Sequence, residues 1–438
     1  MAAPDQRLPA GPRLPPVLQT LRWLVRPIAF LEACRREFGD AFSVRFLGFR
    51  TPMVMIADPD AIRALYSVRE HALPPGRTLA LLPIVGPRSL LLLEGGEHLA
   101  RRRMMLPPFH GERMRAYESI VRDAVARDVE AWPVGQPFAV HPRMQAITLD
   151  VILQAVFGVT DRGRRARLAA RLGHLLASTA SVGLQFGVLL SRRMGGPDPL
   201  ARLQALRSEI DMLLTEEIAE RRADPRDDIL SMLIAARFED GGSMDDGELR
   251  DQLMTLLLAG HETTATGLAW TFDLLLRHPP VHERLVAEVD AGEDAYLRAV
   301  VAESLRLRPV VPLAGRRLSS ELRLNGHVLP PGTDVTPAIW LAHTRADRYP
   351  EPFAFRPERF LESAPATYAW IPFGGGVRRC LGAAFAEMEM RVALAEILRR
   401  RALRPASAAA ERVARRNVTF SPSTGTRVVA DGPRVVRA

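Results

Sequence analysis

The sequence predicts a mainly helical α+β protein, with a large helical body, a long central helix and a smaller β-rich portion. Apolar residues recur at close to 3.6-residue intervals from about residue 97 to 280, which indicates a series of helices. An Asn325-Gly326 pair between two strand-like runs is the strongest local signal for a hairpin. The 438 residues are 47% apolar and show no linker composition, so we expect one domain over 1–438 that begins with a Pro-rich lead over about 1–30.

The other elements follow in order along the chain. Residues 40–57 alternate apolar and polar side chains and then continue without charge, which predicts two strands joined by a turn. Residues 60–67 are predicted to be helical. Toward the other end, a helix is expected from Cys380 to about Arg401, and a closing hairpin over 416–430. Proline-containing segments interrupt the helical series at 106–112, 132–137 and 194–199.

The longest helix is predicted in the second half of the chain. Ser243 and the acidic residues after it suit a helix N-terminus, and the pair Pro279-Pro280 ends the pattern. About thirty residues at 1.5 Å each would cross the whole molecule. Around its middle the apolar run is interrupted by the segment 259–264, AGHETT. Such an interruption in a buried helix indicates a functional segment.

Composition limits the classes of partner. The formal charge is +9, but the chain has no lysine and its arginines are scattered through predicted helices, which argues against nucleic-acid binding. A local basic face for an acidic protein stays open. The apolar segment 17–31 is broken by Arg22, Arg26 and Pro27 and is too short to span a bilayer, so no transmembrane anchor is expected, whereas loose interfacial contact stays open.

Cys380 has an unusual context for a lone cysteine. It follows three glycines, 374–376, and two arginines, Arg378 and Arg379, and helix N–H groups together with these cations favour a thiolate. A buried structural thiol is the alternative. A nucleophile would need a histidine base, which is not nearby although a distant one stays open, and zinc would need further ligands. A haem iron needs one axial ligand and fits best.

The segment 373–382, FGGGVRRCLG, resembles the haem-binding loop of the cytochrome P450 family. The resemblance implies the P450 fold, with haem b (iron protoporphyrin IX) as cofactor and Cys380 as the iron ligand. It further implies that Phe373 packs beside the sulfur and that Arg378 meets a haem propionate. The matching residues are Phe373, Gly376, Arg378, Cys380 and Gly382, and Gly374 joins the cofactor-binding set as part of the turn.

Other positions match the same family in the expected order. Glu303 and Arg306 resemble its E-x-x-R pair, and Arg359 resembles the arginine that joins them. We expect these three to form a buried network that supports the haem loop. For the propionates, the resemblance implies His98 and Arg102, four apart on one helical face, and Arg316.

The segment AGHETT resembles the oxygen-binding groove of the family. Ala259 and Gly260 would leave room over the iron, Glu262 matches the acid position and Thr263 the hydroxyl position, with Thr264 a neighbour in hydrogen bonding. Threonine hydroxyls can compete for backbone carbonyls and open the helical ladder. Because an unpartnered buried carboxylate is costly, we expect Glu262 to reach water, directly or through a relay.

The resemblance implies a monooxygenase that inserts one oxygen atom from O2 into a small molecule. We expect a hydrophobic substrate, because the predicted pocket is almost entirely apolar. Segment 181–190 and the loop before His98 are expected to contribute to it. The individual pocket residues are Leu82, Val85, Leu91, Leu258, Val311, Leu313 and Phe420.

The missing anchor resembles bacterial family members. Electrons would then come from NAD(P)H through a ferredoxin reductase and an acidic ferredoxin, which docks on the cysteine side near Arg379 and Arg391. Two distant cysteines give no disulfide framework, which suits a cytoplasmic protein, and we expect a monomer. Two alternatives stay open: a haem-thiolate enzyme that uses peroxide or performs desaturation or ring coupling, and a non-enzymatic haem sensor.

Overall fold

The fold is known from a computed structural model that describes residues 8–68, 81–159, 161–179, 201–416 and 418–434. It is mainly helical, with small sheets formed by strands from the first and last thirds of the chain, and the predicted fold class is confirmed. The helices are α1 (Pro16–Val25), α2 (Pro27–Phe38), α3 (Pro59–Tyr66), α4 (Leu82–Val85), α5 (Gly95–Met105), α6 (Arg113–Glu130), α7 (Val140–Ala155), α8 (Arg162–Thr179), α9 (Ala201–Ala223), α10 (Ile229–Ala235), α11 (Asp246–Leu276), α12 (Pro279–Ala291), α13 (Ala295–Leu307), α14 (Ile339–His343), α15 (Arg359–Glu362) and α16 (Ala383–Arg400).

The strands form four small sheets. A four-stranded sheet has the order β1-β2-β7-β4, in which β2 and β7 are parallel and the other pairs antiparallel. The others are β3-β11-β8, β10-β9 and the hairpin β5-β6. The strands are β1 (Ala41–Val44), β2 (Met53–Ile56), β3 (Pro137–Ala139), β4 (Arg316–Arg317), β5 (Leu322–Leu324), β6 (His327–Leu329), β7 (Asp334–Pro337), β8 (Arg401–Pro405), β9 (Val413–Arg416), β10 (Thr419–Pro422) and β11 (Arg427–Pro433).

Most local predictions are confirmed, but the closing hairpin over 416–430 was wrong, because β10 pairs with β9 whereas β11 pairs with β3 and β8. The hairpin turns at Asn325 and Gly326, both with positive φ (48° and 77°), as a two-residue type I′ turn requires. The breaks at 106–112 and 132–137 separate helices, although the second also contains β3, which the pattern did not predict. The break at 194–199 lies outside the described residues.

The long helix α11 has 31 residues and begins later than predicted. Its N-cap is Asp245 rather than Ser243, because the Asp245 carboxylate accepts a hydrogen bond from the N–H of Glu248 at 2.9 Å. The helix ends at Leu276, and Pro279 opens the next helix, α12. Helix α7 packs along α11, and α9, α13 and α16 also contact α11.

The final helix also begins later than predicted. It starts at Ala383, with Gly382 at the N-cap, so Cys380 precedes the helix instead of opening it. A large apolar core surrounds α11, and two smaller clusters fill the space beneath the sheets. None of the helices that the structure describes is long and apolar enough to cross a membrane.

Candidate active site

Cys380 lies at the end of a tight loop that joins the irregular segment before it to α16. Gly376–Arg378 forms a single 3₁₀ turn, and the N–H of Cys380 donates to the carbonyl of Phe373 at 2.9 Å. Gly374 and Gly376 have φ of +67° and +64°, which side chains other than glycine adopt only at a cost. The Phe373 ring packs edge-on against Trp370, with centroids 6.2 Å apart.

The Cys380 side chain is accessible, although protein surrounds the sulfur closely enough to desolvate it. Burial therefore raises the pKa of the thiol, and the N–H of Gly382 and the cations Arg379 and Arg102 act in the opposite direction. The N–H of Gly382 and these cations thus favour the thiolate as expected, but burial outweighs them. A metal ion bound to the sulfur would supply the missing stabilisation of the anion.

The glycines of the loop are required by a neighbour that the sequence did not indicate. A Cβ at Gly375 would lie 2.5 Å from the ring of Tyr66, and one at Gly376 would lie 2.8 Å from its carbonyl oxygen. Tyr66 ends α3, and its hydroxyl is buried with no hydrogen-bond partner among the described residues. Burial raises the pKa of Tyr66 to about 12. The glycines thus allow a close approach of Tyr66, not only of a ligand.

Cations gather next to this loop. Arg378, Arg102 and Arg316 all add to the desolvation that lowers the pKa of the buried His98 to about 3, so the three guanidinium groups lie close together around one neutral imidazole. Arg378 also donates to the carbonyl of Leu93 at 2.6 Å. Like charges repel unless anions join them, so the cluster suits a ligand with carboxylates.

The neighbours of Arg102 on α5 face elsewhere, as predicted from helical spacing. Arg101 pairs with Glu248 of α11 at 2.8 Å, and Arg103 pairs with the exposed Glu239 at 2.6 Å. The carboxylates of Glu248 and Glu239 neutralise these two arginines. Arg102 is therefore the member of this arginine run that contributes to the cluster around His98.

Glu303, Arg306 and Arg359 form the expected buried network. The Glu303 carboxylate accepts from Arg306 Nε and Nη2 at 2.6 and 2.7 Å and from Arg359 Nε at 3.1 Å. Arg306 also donates to the carbonyls of His343 and Pro352 at 2.9 and 2.7 Å. Each charged group thus has several partners, the arrangement in which a buried ion pair repays its desolvation.

His343 connects this network to the cysteine loop and was missed by sequence reasoning. Its Nδ1 lies 3.2 Å from the carbonyl of Arg306, and its Nε2 accepts from the N–H of Ile371 at 2.8 Å. Nδ1 is therefore the protonated nitrogen. Burial lowers the pKa of His343 to about 3, which keeps the ring neutral. A lone histidine in an apolar run gave no signal for this role.

The middle of α11 is accessible, whereas most of the helix is buried. Ala259 is exposed and Thr263 partly so, and the Thr263 hydroxyl donates to the Ala259 carbonyl at 2.5 Å. The hydroxyl therefore competes for a backbone carbonyl as expected, although α11 runs uninterrupted through this point. Gly260 is adjacent to α7 instead, because a Cβ there would lie 3.0 Å from Ile152 Cδ1.

Glu262 points from α11 toward α7. Gln145 Nε2 donates to its carboxylate at 2.5 Å, Thr266 donates weakly at 3.5 Å, and His141 Nε2 lies 3.7 Å away. Burial raises the pKa of Glu262, and the hydrogen bond from Gln145 and the charge of Arg416 partly oppose this. With 21% of the side chain exposed, the carboxylate also reaches water, as expected.

His141 is held in one tautomer beside this acid. Arg416 donates to His141 Nδ1 at 3.1 Å, so the ring proton lies on Nε2, which faces Thr266 at 3.1 Å. Burial, followed by the charge of Arg416, lowers the pKa of His141 to about 3. Neither His141 nor Gln145 was predicted, because their distance from Glu262 in the sequence hides the contact.

Thr264 faces away from Thr263, toward α16. It donates to Glu389, a carboxyl that is 1% exposed and has one oxygen without a hydrogen-bond partner among the described residues. Burial raises the pKa of Glu389 to about 8. This acid, nine residues after Cys380, was not identified from the sequence.

The predicted pocket residues divide into three groups. Leu91, Leu258, Val311 and Leu313 are partly exposed, whereas Val85 is fully buried in the main core and Leu82 is 40% exposed. Phe420 is buried and packs 5.6 Å from Trp23, bordering a small cavity with Trp270 and Arg308. Residues 181–190, together with Leu79 and Ala80, lie outside the described residues.

A sequence profile of the family described as Cytochrome P450 matches residues 9–423. The chain belongs to the cytochrome P450 family. It is 41% identical to cytochrome P450 135B1 of Mycobacterium tuberculosis, over 98% of this chain and 93% of the relative, and 38% identical to cytochrome P450 138 of the same species, over 98% and 97%. It is therefore a cytochrome P450 monooxygenase.

Solved structures of other P450 enzymes share the fold. The retinoic acid-bound cyanobacterial CYP120A1 superposes with a TM-score of 0.82 at 26% identity, covering 97% of this chain and 99% of that one. The haem domain of cytochrome P450DA superposes with a TM-score of 0.83 at 24% identity, covering 97% of each chain. The prediction of the P450 fold is thus confirmed.

Haem is the cofactor of the family, and the residues of this P450 fit it. Haem needs one axial ligand and two cationic contacts for its propionates, and the structure provides an accessible Cys380 sulfur beside the cluster of Arg102, Arg316 and Arg378. Among the described residues, no group of three or more His, Cys, Asp or Glu could hold a metal ion.

Proposed function

We propose that this P450 inserts one oxygen atom from O2 into a hydrophobic small molecule. The observation that carries the proposal is that Ala259 and Thr263, one turn apart on the mostly buried α11, are accessible, and that the Glu262 side chain between them in sequence is partly exposed to water. A haem protein that does not activate oxygen would need neither an accessible segment in this helix nor a carboxylate in contact with water. Haem, held through Cys380, supplies the activation of dioxygen and the transfer of oxygen.

The protein's own part is to hold and move protons. Glu262 exchanges protons with water because it is partly exposed, and its raised pKa makes the protonated form easier to reach near neutral pH. The Thr263 hydroxyl, held by the Ala259 carbonyl, presents its oxygen lone pairs on the accessible side of the helix. We infer that Glu262 delivers protons and that Thr263 hands them on.

The test is the variant Thr263→Ala. Haem content and the carbon monoxide spectrum should remain, whereas electrons should be diverted to hydrogen peroxide instead of product. The matched control is Thr271→Ala, which removes a hydroxyl with the same i−4 carbonyl bond farther along α11. Unchanged coupling of electron use to product in Thr263→Ala would contradict the role of this hydroxyl.

Labelled oxygen tests the oxygen source. The product made under 18O2 should carry one labelled atom. Label arriving only from H2(18)O2, or a product with no added oxygen, would instead identify the peroxide-using or the desaturating and coupling alternatives. NAD(P)H-dependent turnover with a ferredoxin system would exclude the non-enzymatic haem sensor.

The substrate class is inferred from the apolar side chains near the site. Leu91, Leu258, Val311 and Leu313 are the partly exposed members of the predicted set. A related P450 of known structure is described as binding retinoic acid, an apolar carboxylic acid, which supports the same class for this chain. A library of terpenes, steroids, fatty acids and polyketides should contain compounds that shift the spin state of the iron, and polar compounds of equal size should not.

We infer that an acidic ferredoxin reduces the enzyme, with electrons from NAD(P)H through a ferredoxin reductase. Arg379, Arg391 and Arg298 all act on the pKa of Glu387, so three cations lie together near the cysteine loop. Arg391 is also paired with Asp294 at 3.0 Å, which leaves the exposed Arg379 as the better contact. Arg379→Glu should slow reduction and weaken its salt dependence, and the distant Arg323→Glu should change neither.

Three further expectations complete the proposal. The match over residues 9–423 supports one domain. Both cysteines, Cys34 and Cys380, are free thiols, which supports a cytoplasmic protein. We expect the enzyme to act as a monomer, which sedimentation at working concentration would test.

A further inference from the structure

An exposed apolar face lies at the start of the chain, far in sequence from the site. Helix α1 buries Gln19 and Trp23 and turns its remaining apolar side chains outward. At 100° per residue, these side chains fall within an arc of about 120° on one side of the helix. The face consists of Val17, Leu18, Leu21, Leu24 and Val25, which are 39–63% exposed.

The loop between β1 and β2 extends this face. The Thr20 hydroxyl of α1 accepts from the N–H of Leu47 at 2.8 Å, and the side-chain amide oxygen Oε1 of Gln19 accepts from the N–H of Arg45 at 2.9 Å, so the loop runs alongside the helix. Leu47 and Phe49 are each 49% exposed. The N-terminal apolar face, defined as these two residues with the five of α1, holds seven of the fourteen exposed large apolar side chains in the described part of the chain.

The two segments that form the face carry positive charge only. Residues 8–31 and 41–57 contain no aspartate or glutamate. Both segments contribute exposed arginines to the rim. These are Arg13, Arg22, Arg26, Arg45 and Arg50.

We propose that the N-terminal apolar face binds the surface of an anionic lipid bilayer. Aliphatic side chains and a phenylalanine would enter the headgroup boundary, and the rim arginines would meet lipid phosphates. The ten residues of α1 span about 15 Å, so the helix lies in the plane of the interface and does not cross it. The binding is peripheral and reversible.

A second copy of the chain is the other conceivable occupant, and the charges disfavour it. In a two-fold dimer the same patch faces itself, so the rim arginines of one protomer would approach those of the other. No acid in these segments would separate them. Anionic lipid instead supplies the opposite charge, at about 1 kcal/mol for each arginine near the surface, or about five-fold in binding.

The test is cosedimentation of the haem-loaded full chain with vesicles. We expect binding to vesicles containing phosphatidylglycerol, weak binding to pure phosphatidylcholine, and release at high salt. The double variant Leu21→Gln/Val25→Gln should reduce binding about ten-fold or more, and Arg22→Gln about five-fold. The matched controls are Met212→Gln, 62% exposed on α9, and Arg323→Gln, 81% exposed on β5, which should bind as the parent does.

The possible results distinguish a lipid bilayer from a second copy of the chain as the binding partner. Equal binding to both kinds of vesicle, or equal loss with the control variants, would overturn the proposal. So would a concentration-dependent dimer that disappears in Leu21→Gln/Val25→Gln while neither vesicle is bound. Unchanged haem content and thermal midpoint in every variant show that the loss is not unfolding.

Discussion

Two buried or half-buried glutamates, Glu303 and Glu262, stand in very different surroundings. The Glu303 carboxylate has two guanidinium partners, Arg306 and Arg359, and is completely buried. Glu262 has an amide, a hydroxyl and a neutral histidine as its near neighbours, and reaches water. The Glu303 anion is neutralised and held in place, whereas Glu262 has a raised pKa and can exchange protons with water.

The difference separates a carboxylate that is fixed by ion pairs from a carboxylate that can take part in proton transfer. Around Glu303 the charges are saturated by ion pairs and by backbone carbonyl and N–H groups. Around Glu262 the partners stabilise the carboxylate only partly. A fully paired carboxylate would be a poor proton carrier, because its charged form would be too favourable.

The largest effect is expected at Cys380, the proposed iron ligand. Cys380→Ser should abolish the carbon monoxide spectrum typical of sulfur ligation and all turnover, because the hydroxyl is a poor iron ligand at neutral pH. The matched control is Cys34→Ser, since Cys34 is buried and its surroundings raise its thiol pKa to about 12. A sulfur-type spectrum retained in Cys380→Ser would remove the basis of the site.

The next largest effect is expected at Glu303, whose carboxylate is fully paired. Glu303→Gln should lower the free energy of unfolding by about 3–5 kcal/mol, because Arg306 and Arg359 would keep their buried charges without a counter-ion. Urea titration of the haem-loaded protein measures this. Glu362→Gln, which breaks the exposed pair with Arg356, should cost less than about 1 kcal/mol. Similar costs for the two variants would mean that Glu303 does not support the fold in this way.

Glu389 tests whether a buried carboxyl with an unpartnered oxygen lowers the stability of the fold. Its pKa is about 8 in the fold against an ordinary value of 4.5. Below pH 4.5 both states hold the proton; between 4.5 and about 8 only the unfolded chain releases it, so rising pH destabilises the fold by about 1.4 kcal/mol per pH unit. Above about 8 this loss is complete.

Glu389→Gln should remove that slope and leave the variant more stable than the parent at pH 8. Unfolding measured from pH 5 to 8 gives the difference between the two proteins. Glu396→Gln on the same helix, where Arg400 pairs with the carboxylate at 2.6 Å, should keep the slope of the parent, because Glu389 is still present. Parallel pH profiles for the parent and Glu389→Gln would mean that this carboxyl is ionised in the fold.

The smallest effect concerns Gln145. Gln145→Leu removes a hydrogen bond that lowers the pKa of Glu262, so that pKa should rise further above its ordinary range. The pH profile of coupling should then move to higher pH while haem binding stays the same. Gln154→Leu, also on α7 but bonded only to a backbone carbonyl, is the control. An unshifted profile would separate Glu262 from proton delivery.

Residues at fixed spacing in one segment were predictable from the sequence. Cys380 and its glycines, and Glu303 three residues before Arg306, have local patterns that reflect direct contacts. The starts of α11 and α16 were each misplaced by about three residues, because several polar or glycine residues in succession can cap a helix.

Contacts between distant segments could not be predicted. Gln145 meets Glu262 across 117 positions, and His343 meets Ile371 across 28. Tyr66 meets the cysteine loop from the opposite end of the chain. No periodicity records which helices become neighbours, so these partners, which set the pKa values of the site, emerge only from the fold.

The contact between Tyr66 and Gly375 constrains how such chains can diverge. A methyl group at 375 would overlap the ring at 2.5 Å, and the end of α3 cannot retreat freely because its residues are packed in the core beneath the first sheet. Substitution at one position is therefore tolerated only together with a smaller partner at the other. Across homologous sequences, a larger side chain at position 375 should occur together with a smaller side chain at position 66, because the two share one space.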